Sequence, residues 1–187
     1  MATKLEIVNL ALIELGENPV NTFDVANDIV QSMSVMYDSL ADVELGNHIW
    51  HFALKWETLI EAPGAPPIKL YRHQYYLPAD YIQAYDTYPW GDYNIATGNL
   101  VYSNNRPGWQ WQYVAKVNEQ EFPVYFADYL AAALAARCAM LVTQNGQIAM
   151  DAAKNAMARG IQAKVRDAKA VPSRQVRSDP ILAAFQR

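Results

Sequence analysis

The sequence predicts an α+β protein: an antiparallel four-helix bundle with an inserted antiparallel β subdomain and an extended C-terminal tail. Three observations predict it. Apolar residues recur at helical spacing near both ends of the chain. A Tyr- and Trp-rich stretch punctuated by Pro, Gly and Asn lies between them. Two prolines, Pro172 and Pro180, interrupt the last eighteen residues. The expected boundaries are 1–49 and 122–169 for the bundle, 50–121 for the β subdomain and 170–187 for the tail.

Thr3 and Glu6 form a T-x-x-E capping box, and Leu5, Val8, Leu12 and Leu15 follow on one helical face. Gly16 closes this helix and Pro19 blocks its extension. Asp24 is expected to cap a second helix from Val25 to about Leu45, with Ile29, Met33, Met36, Leu40 and Val43 on one face, before Gly46 stops it. The segments WHFALKWETLI, KLYRHQYYL, YIQAYDTY, NIATGNLVYS and WQWQYVAKV read as short strands separated by turns such as TGN and NNRPG. In YYLPADY, Tyr75 to Tyr81, proline forces Leu77 into extended backbone and ends a strand, while Asp80 is expected to cap the turn. A third helix follows Phe122-Pro123, with Phe126, Tyr129, Leu130, Ala133, Leu134, Arg137, Cys138 and Leu141 as its stripe, up to Asn145-Gly146. An alanine-rich helix then runs from about Gln147 to Ala168.

Composition limits the function classes. The apolar fraction is 52% and the charged fraction 18%, as in ordinary folded chains. One cysteine, Cys138, excludes an internal disulfide, and its apolar surroundings predict a buried, inert thiol. No run of 18 apolar residues is present, and MATKLEIVNL lacks the signal-peptide pattern, so a soluble cytosolic product without a membrane partner is expected. Residues 1–146 carry 7 Lys/Arg against 16 Asp/Glu, and residues 147–187 carry 8 against 3. A basic C-terminal end suits an acidic or phosphate-bearing partner, or simply a solvated helix. The stripe Lys154, Arg159, Lys164, Arg166 and Lys169 is too diffuse for a dedicated DNA binder.

Chemistry-bearing motifs are sparse. Glu44, His48 and His51 have a spacing that could hold a metal on one continuous helix, but Gly46 interrupts it and packing histidines are the simpler reading. His73 has no recognisable partner. Glu119 and Glu121 could act as paired acids, with Trp109 and Trp111 as a sugar-stacking surface, yet acids preceding a helix are favoured by its dipole alone. Alternating aromatics serve more often as core or interface. No nucleotide-binding, nucleophile-elbow or metalloprotease motif occurs, so no cofactor is expected.

The motifs in order are more specific than any one of them. They are Ile7, Asn9, Ala11, Leu12, Leu15 and Gly16; then Tyr37-Asp38; Trp50-x-Phe52-Ala53; Tyr75-x-Leu77-Pro78-x-Asp80; and FPVYFADYLAAALAARCA. Together, up to about Ala168, they resemble the tail tubular protein A family of short-tailed phages, the head-to-tail adaptors. The resemblance implies a structural virion protein of the tail or neck, made in the host cytoplasm, and no enzyme. It implies a ring of twelve that joins a portal protein to a tail nozzle protein and passes double-stranded DNA without reading its sequence. Asn9, Gly16, Trp50, Leu77, Pro78 and Asp80 would be its structural motif residues. Trp90, Trp109 and Trp111 are expected at nozzle or subunit contacts. Arg174, Arg177, Ile181, Leu182 and Phe185 of the tail, where no family motif is found, are expected at portal or subunit contacts. A tail-associated polysaccharide or peptidoglycan hydrolase built on Glu119 and Glu121, and a host-facing sugar-binding module, are the competing expectations.

Overall fold

A computed structural model describes residues 2–23 and 27–170. Helix α1 spans Lys4–Glu14, and both arms of its capping box are made: the Glu6 amide donates to Thr3 Oγ1 and the Thr3 amide to Glu6 Oε2. At its end Gly16 adopts φ +83°, and the Gly16 and Glu17 amides fold back onto the carbonyls of Ile13 and Leu12. The Asn9 side chain then clamps the following loop. It accepts from the Val20 amide and donates to the Val20 carbonyl, both at 2.8 Å.

Helix α2 spans Asp28–Gly46 and is capped by Asn27, whose side chain accepts from the Val30 amide. Asp24, expected as the cap, lies outside the described residues. The buried stripe of α2 is Val30, Met33, Tyr37, Leu40 and Leu45, whereas Ile29, Met36 and Val43 are exposed. The expected apolar face was thus only partly the core face, because a wide apolar stripe on this helix exceeds what its neighbours cover.

Helices α3 (Val124–Thr143) and α4 (Gly146–Ala170) form a tight hairpin. Gln144 takes a left-handed conformation at φ 50°, and Asn145 Oδ1 accepts from the Gln147 amide to start α4. Phe126, Leu130, Leu134, Cys138 and six alanines of α3 are buried. By length and composition α3 could cross a bilayer, but half of its apolar stretch is buried inside the protein. Burial pushes the Cys138 thiol up to about 11.

These helices correct the expected architecture. The class is α+β, but the helices are not a four-helix bundle carrying a small insertion. Helix α3 sits at the centre and packs against α1, α2 and α4, while α4 rests mainly on α3. The reason lies in α4 itself, which buries only Gly160, Ala163 and Asp167 along 25 residues. Such a narrow strip lets one helix approach closely but cannot fill a bundle core. At Gly160 the approach is so close that a Cβ would come within 2.8 Å of the Tyr129 ring.

The β segment is equally substantial. Strands β1 (Leu54–Thr58), β2 (His73–Tyr76), β3 (Tyr81–Tyr88), β4 (Tyr93–Ala96), β5 (Leu100–Ser103) and β6 (Gln110–Ala115) make two antiparallel three-stranded sheets. Their orders are β1-β6-β3 and β2-β5-β4. The β4–β5 hairpin turns through Gly98 and Asn99, both at positive φ, as the TGN signal required. Leu59, Tyr75, Val101, Trp109 and Trp111 form a second core, separate from the helical one. Val114 of the same strand, β6, belongs to the helical core. One strand therefore serves both.

YYLPADY is the corner between the sheets. Tyr75 and Tyr76 end β2 in one sheet and Tyr81 begins β3 in the other. Leu77 stays extended, its amide donating to Asn99, and the Tyr81 amide donates to the Pro78 carbonyl across the turn. Asp80 does not cap this turn with its side chain, which instead reaches Tyr113 and Lys55. The strand expected from Trp50 begins only at Leu54, because His51–Ala53 form a 3-10 turn. Trp50 causes this: it is fully buried, its indole N–H donates to the Glu44 carbonyl, and its ring meets Phe126 at 4.9 Å.

Trp50→Ala would leave a cavity where α2, α3 and the sheet converge, costing about 3–5 kcal/mol. Urea unfolding should show a lower midpoint with an unchanged slope, whereas a midpoint within error of wild type would show that the site is not part of the core.

Candidate functional site

Two polar clusters stand out against this apolar framework. The first joins the sheet to the helices. Lys55 and Glu57 alternate on one face of β1, and the β1–β6 register sets Lys55 opposite Tyr113. The Tyr113 hydroxyl lies 2.7 Å from Glu57 Oε2 and 2.8 Å from Asp80 Oδ1, while Lys55 Nζ donates to Asp80 Oδ2 at 2.9 Å. A phenol has one proton to give, so two carboxylates compete for it and Lys55 balances their charge. Burial alone would raise the Asp80 carboxyl, but the hydrogen bonds from Lys55 and Tyr113, with the Lys55 charge, hold it below its usual range. Burial and the two carboxylates raise Tyr113 far above an ordinary phenol. A phenol held protonated between salt-bridged acids cements a corner. It is neither a nucleophile nor a base.

The second cluster lies where α4 crosses the 3-10 turn. Asp167 is fully buried, and every acceptor on it is used. The His51 amide donates to both of its oxygens, His51 Nδ1 lies 2.9 Å from Oδ2 and the Tyr125 hydroxyl 2.9 Å from Oδ1. A carboxylate only accepts, so Nδ1 of His51 carries the proton. His48 Nε2 stands 3.8 Å away, too far for a hydrogen bond, and is buried without a partner. Burial, the nearby Lys164 charge and His51 lower its pKa despite Asp167. The Asp–His pair has the orientation seen in hydrolytic dyads, but no hydroxyl or thiol hydrogen-bonds to His51 among the described residues. Its evident task is to fasten α4 to the turn. Glu44, His48 and His51 are not gathered as ligands. Glu44 instead accepts from Tyr129, and no group of three His, Cys, Asp or Glu side chains could hold a metal among the described residues. His73 pairs with Glu61 at 2.7 Å.

The other expected site residues are dispersed. Glu119 and Glu121 sit on a 3-10 turn, Glu119 loosely contacted by the Tyr37 hydroxyl at 3.4 Å. Trp109 and Trp111 are 1% and 0% exposed and stack on each other at 5.9 Å, Tyr81 covering Trp111 at 5.5 Å. They are core, so neither meets a nozzle, a neighbouring subunit or a sugar. Trp90, by contrast, is 81% exposed, beside the exposed Tyr88. Arg174, Arg177, Ile181, Leu182 and Phe185 lie outside the described residues.

What sequence reasoning missed is a set of apolar surfaces on the helices. Leu10, Ile13 and Val124 are exposed beside a groove of about 500 Å³ between α1 and the start of α3. Met150, Met157, Ile161 and Val165 form an exposed stripe on α4 at helical spacing. No protein-family model matches the chain, and no curated protein matches it.

Asp80 supplies a pH test. Its folded carboxyl lies below the unfolded value, so its contribution is complete above about pH 4 and is lost as pH falls through the lowered folded pKa. Asp80→Asn should therefore give a shallower acid limb of stability below about pH 4 than wild type. Asp167→Asn, which keeps shape and discards charge, should cost about 1.5–3 kcal/mol and speed amide exchange in the last turns of α4. Unaltered exchange there would remove the fastening role.

Proposed function

We propose that the chain is a structural assembly protein, a head-to-tail adaptor of the tail tubular protein A type, built to join a portal to a tail nozzle as a ring. The observation that carries this reading is the presence of different exposed apolar faces on different elements of one chain. They are the α1–α3 edge with Leu10, Ile13 and Val124, the α4 stripe with Met157 and Ile161, and the β surface with Tyr88 and Trp90. A ring needs heterologous contacts, so each subunit must carry two unlike surfaces that fit each other, and further faces remain for partners above and below. Large exposed apolar groups rimmed by charge are the usual material of such contacts. The polar clusters support the same reading, since both use their side chains to fasten elements together.

On this proposal the acidic surplus of residues 1–146 lines a passage that repels DNA phosphates. Among the expected nozzle contacts, Trp90 keeps that role. The tail, with Arg174, Arg177, Ile181, Leu182 and Phe185, takes the portal.

The test is native mass spectrometry of the protein alone and mixed with the portal protein encoded beside it. Addition of twelve copies to the portal is the expected outcome. A well-folded chain that stays unassociated at micromolar concentration would defeat the proposal. Removal of residues 172–187 should leave thermal unfolding unchanged and abolish portal binding, and a truncated chain that still binds would take that role from the tail.

A further inference from the structure

The groove between α1 and the start of α3 is the largest cavity on the helical side, and it has a definite character. Leu10, Ile13, Phe122 and Val124 make its walls, and Glu6 and Asp128 lie at its rim. Val124 is 84% exposed although it sits on the most apolar helix of the protein. An occupant should therefore carry apolar side chains to fill the trough and positive charge to meet the rim.

The chain holds one segment of that chemistry. Residues 171–187 carry Arg174, Arg177 and Arg187 against the single acid Asp179, followed by the apolar Ile181, Leu182 and Phe185. The place where the described chain stops is equally telling. Asp167, in the last turn of α4, is bonded to Tyr125 in the first turn of α3, next to the groove residue Val124. Helix α4 ends at Ala170, one turn beyond. Eleven residues separate Ala170 from Ile181, a length that spans about 36 Å when extended and so reaches past the diameter of one helix with room to spare. The other sizeable cavity, between α3 and α4, is lined by Arg137 and Lys164 and would repel an arginine-bearing segment.

We infer that the C-terminal segment, residues 174–187, docks in the α1–α3 groove of its own chain, with Ile181, Leu182 and Phe185 against Leu10, Ile13 and Val124 and its arginines toward Glu6 and Asp128. The groove and the segment are tethered, so even a weak contact is populated at the millimolar effective concentration a short linker provides. This inference does not depend on the adaptor reading. If both hold, a portal must draw the segment out of the groove, and portal binding is weakened by the cost of that release.

The full-length chain with p-benzoylphenylalanine in place of Phe185 tests it. After irradiation, mass spectrometry should find cross-links to residues 2–14 and 122–128. In an equal mixture of ¹⁴N- and ¹⁵N-labelled chains these links should join residues of one isotopic label only. Links scattered over other surfaces, or links that join the two labels, would overturn the inference. Ile13→Glu, an exposed position whose change the fold tolerates, should cut the cross-link yield at least fivefold with an unchanged melting temperature. Undiminished yield in that variant would also overturn it. Neither readout uses a portal, so failure here is distinct from failure of the adaptor proposal.

Discussion

Helix α3 must be covered on nearly every side, and the rest of the structure is arranged to do so. Ten of its twenty residues are buried, most of them alanine, so neighbouring backbones come close rather than interdigitating long side chains. Helices α1 and α2 cover it on one side and α4 lies along another. Trp50 and Phe52 plug its N-terminal end by packing on Phe126 at 4.9 and 5.0 Å. The aromatic plug is why the chain turns through a 3-10 segment before entering the sheet. It also sets the angle at which β1 leaves the helices.

From that plug outward, the polar contacts do a uniform kind of work. Asp167 ties α4 to the turn and to α3, Glu44 accepts the Tyr129 hydroxyl, and Asp80 with Tyr113 closes the corner between the sheets. Each satisfies a buried group that would otherwise be costly. The Trp109 and Trp111 indole nitrogens are the exceptions, buried without a hydrogen-bond partner inside the aromatic stack. Chemistry that would need an open, solvent-fed cleft has no place in these clusters.

Local structure was legible in the sequence wherever neighbours along the chain decide it. The capping box at Thr3, the Gly16 terminus, the TGN hairpin and the Leu-Pro corner all depend on residues within a few positions of one another. Long-range partners were not legible. Asp167 looked like one acid in a basic stripe because its histidine lies 116 residues away. Asp80 looked like a turn cap because its true partner, Tyr113, arrives only when β6 pairs with β1 and β3. Alternation of Trp109 and Trp111 marked one face of a strand but could not say whether that face met solvent or a second sheet. The bundle expectation failed for a related reason. Helix periodicity reveals that a helix has an apolar side, not how many neighbours that side will find.

Strand β6 lies between β1 and β3 and places Trp111 in one core and Val114 in the other. A force that pulls the helical end away from the aromatic end would run along this strand rather than across it. Its ladders to both neighbours would then bear the load side by side, instead of opening one bond after another. The two ends would also melt together rather than as separate units. Rigidity of that kind suits a part that must hold its shape while something long and stiff is driven past it.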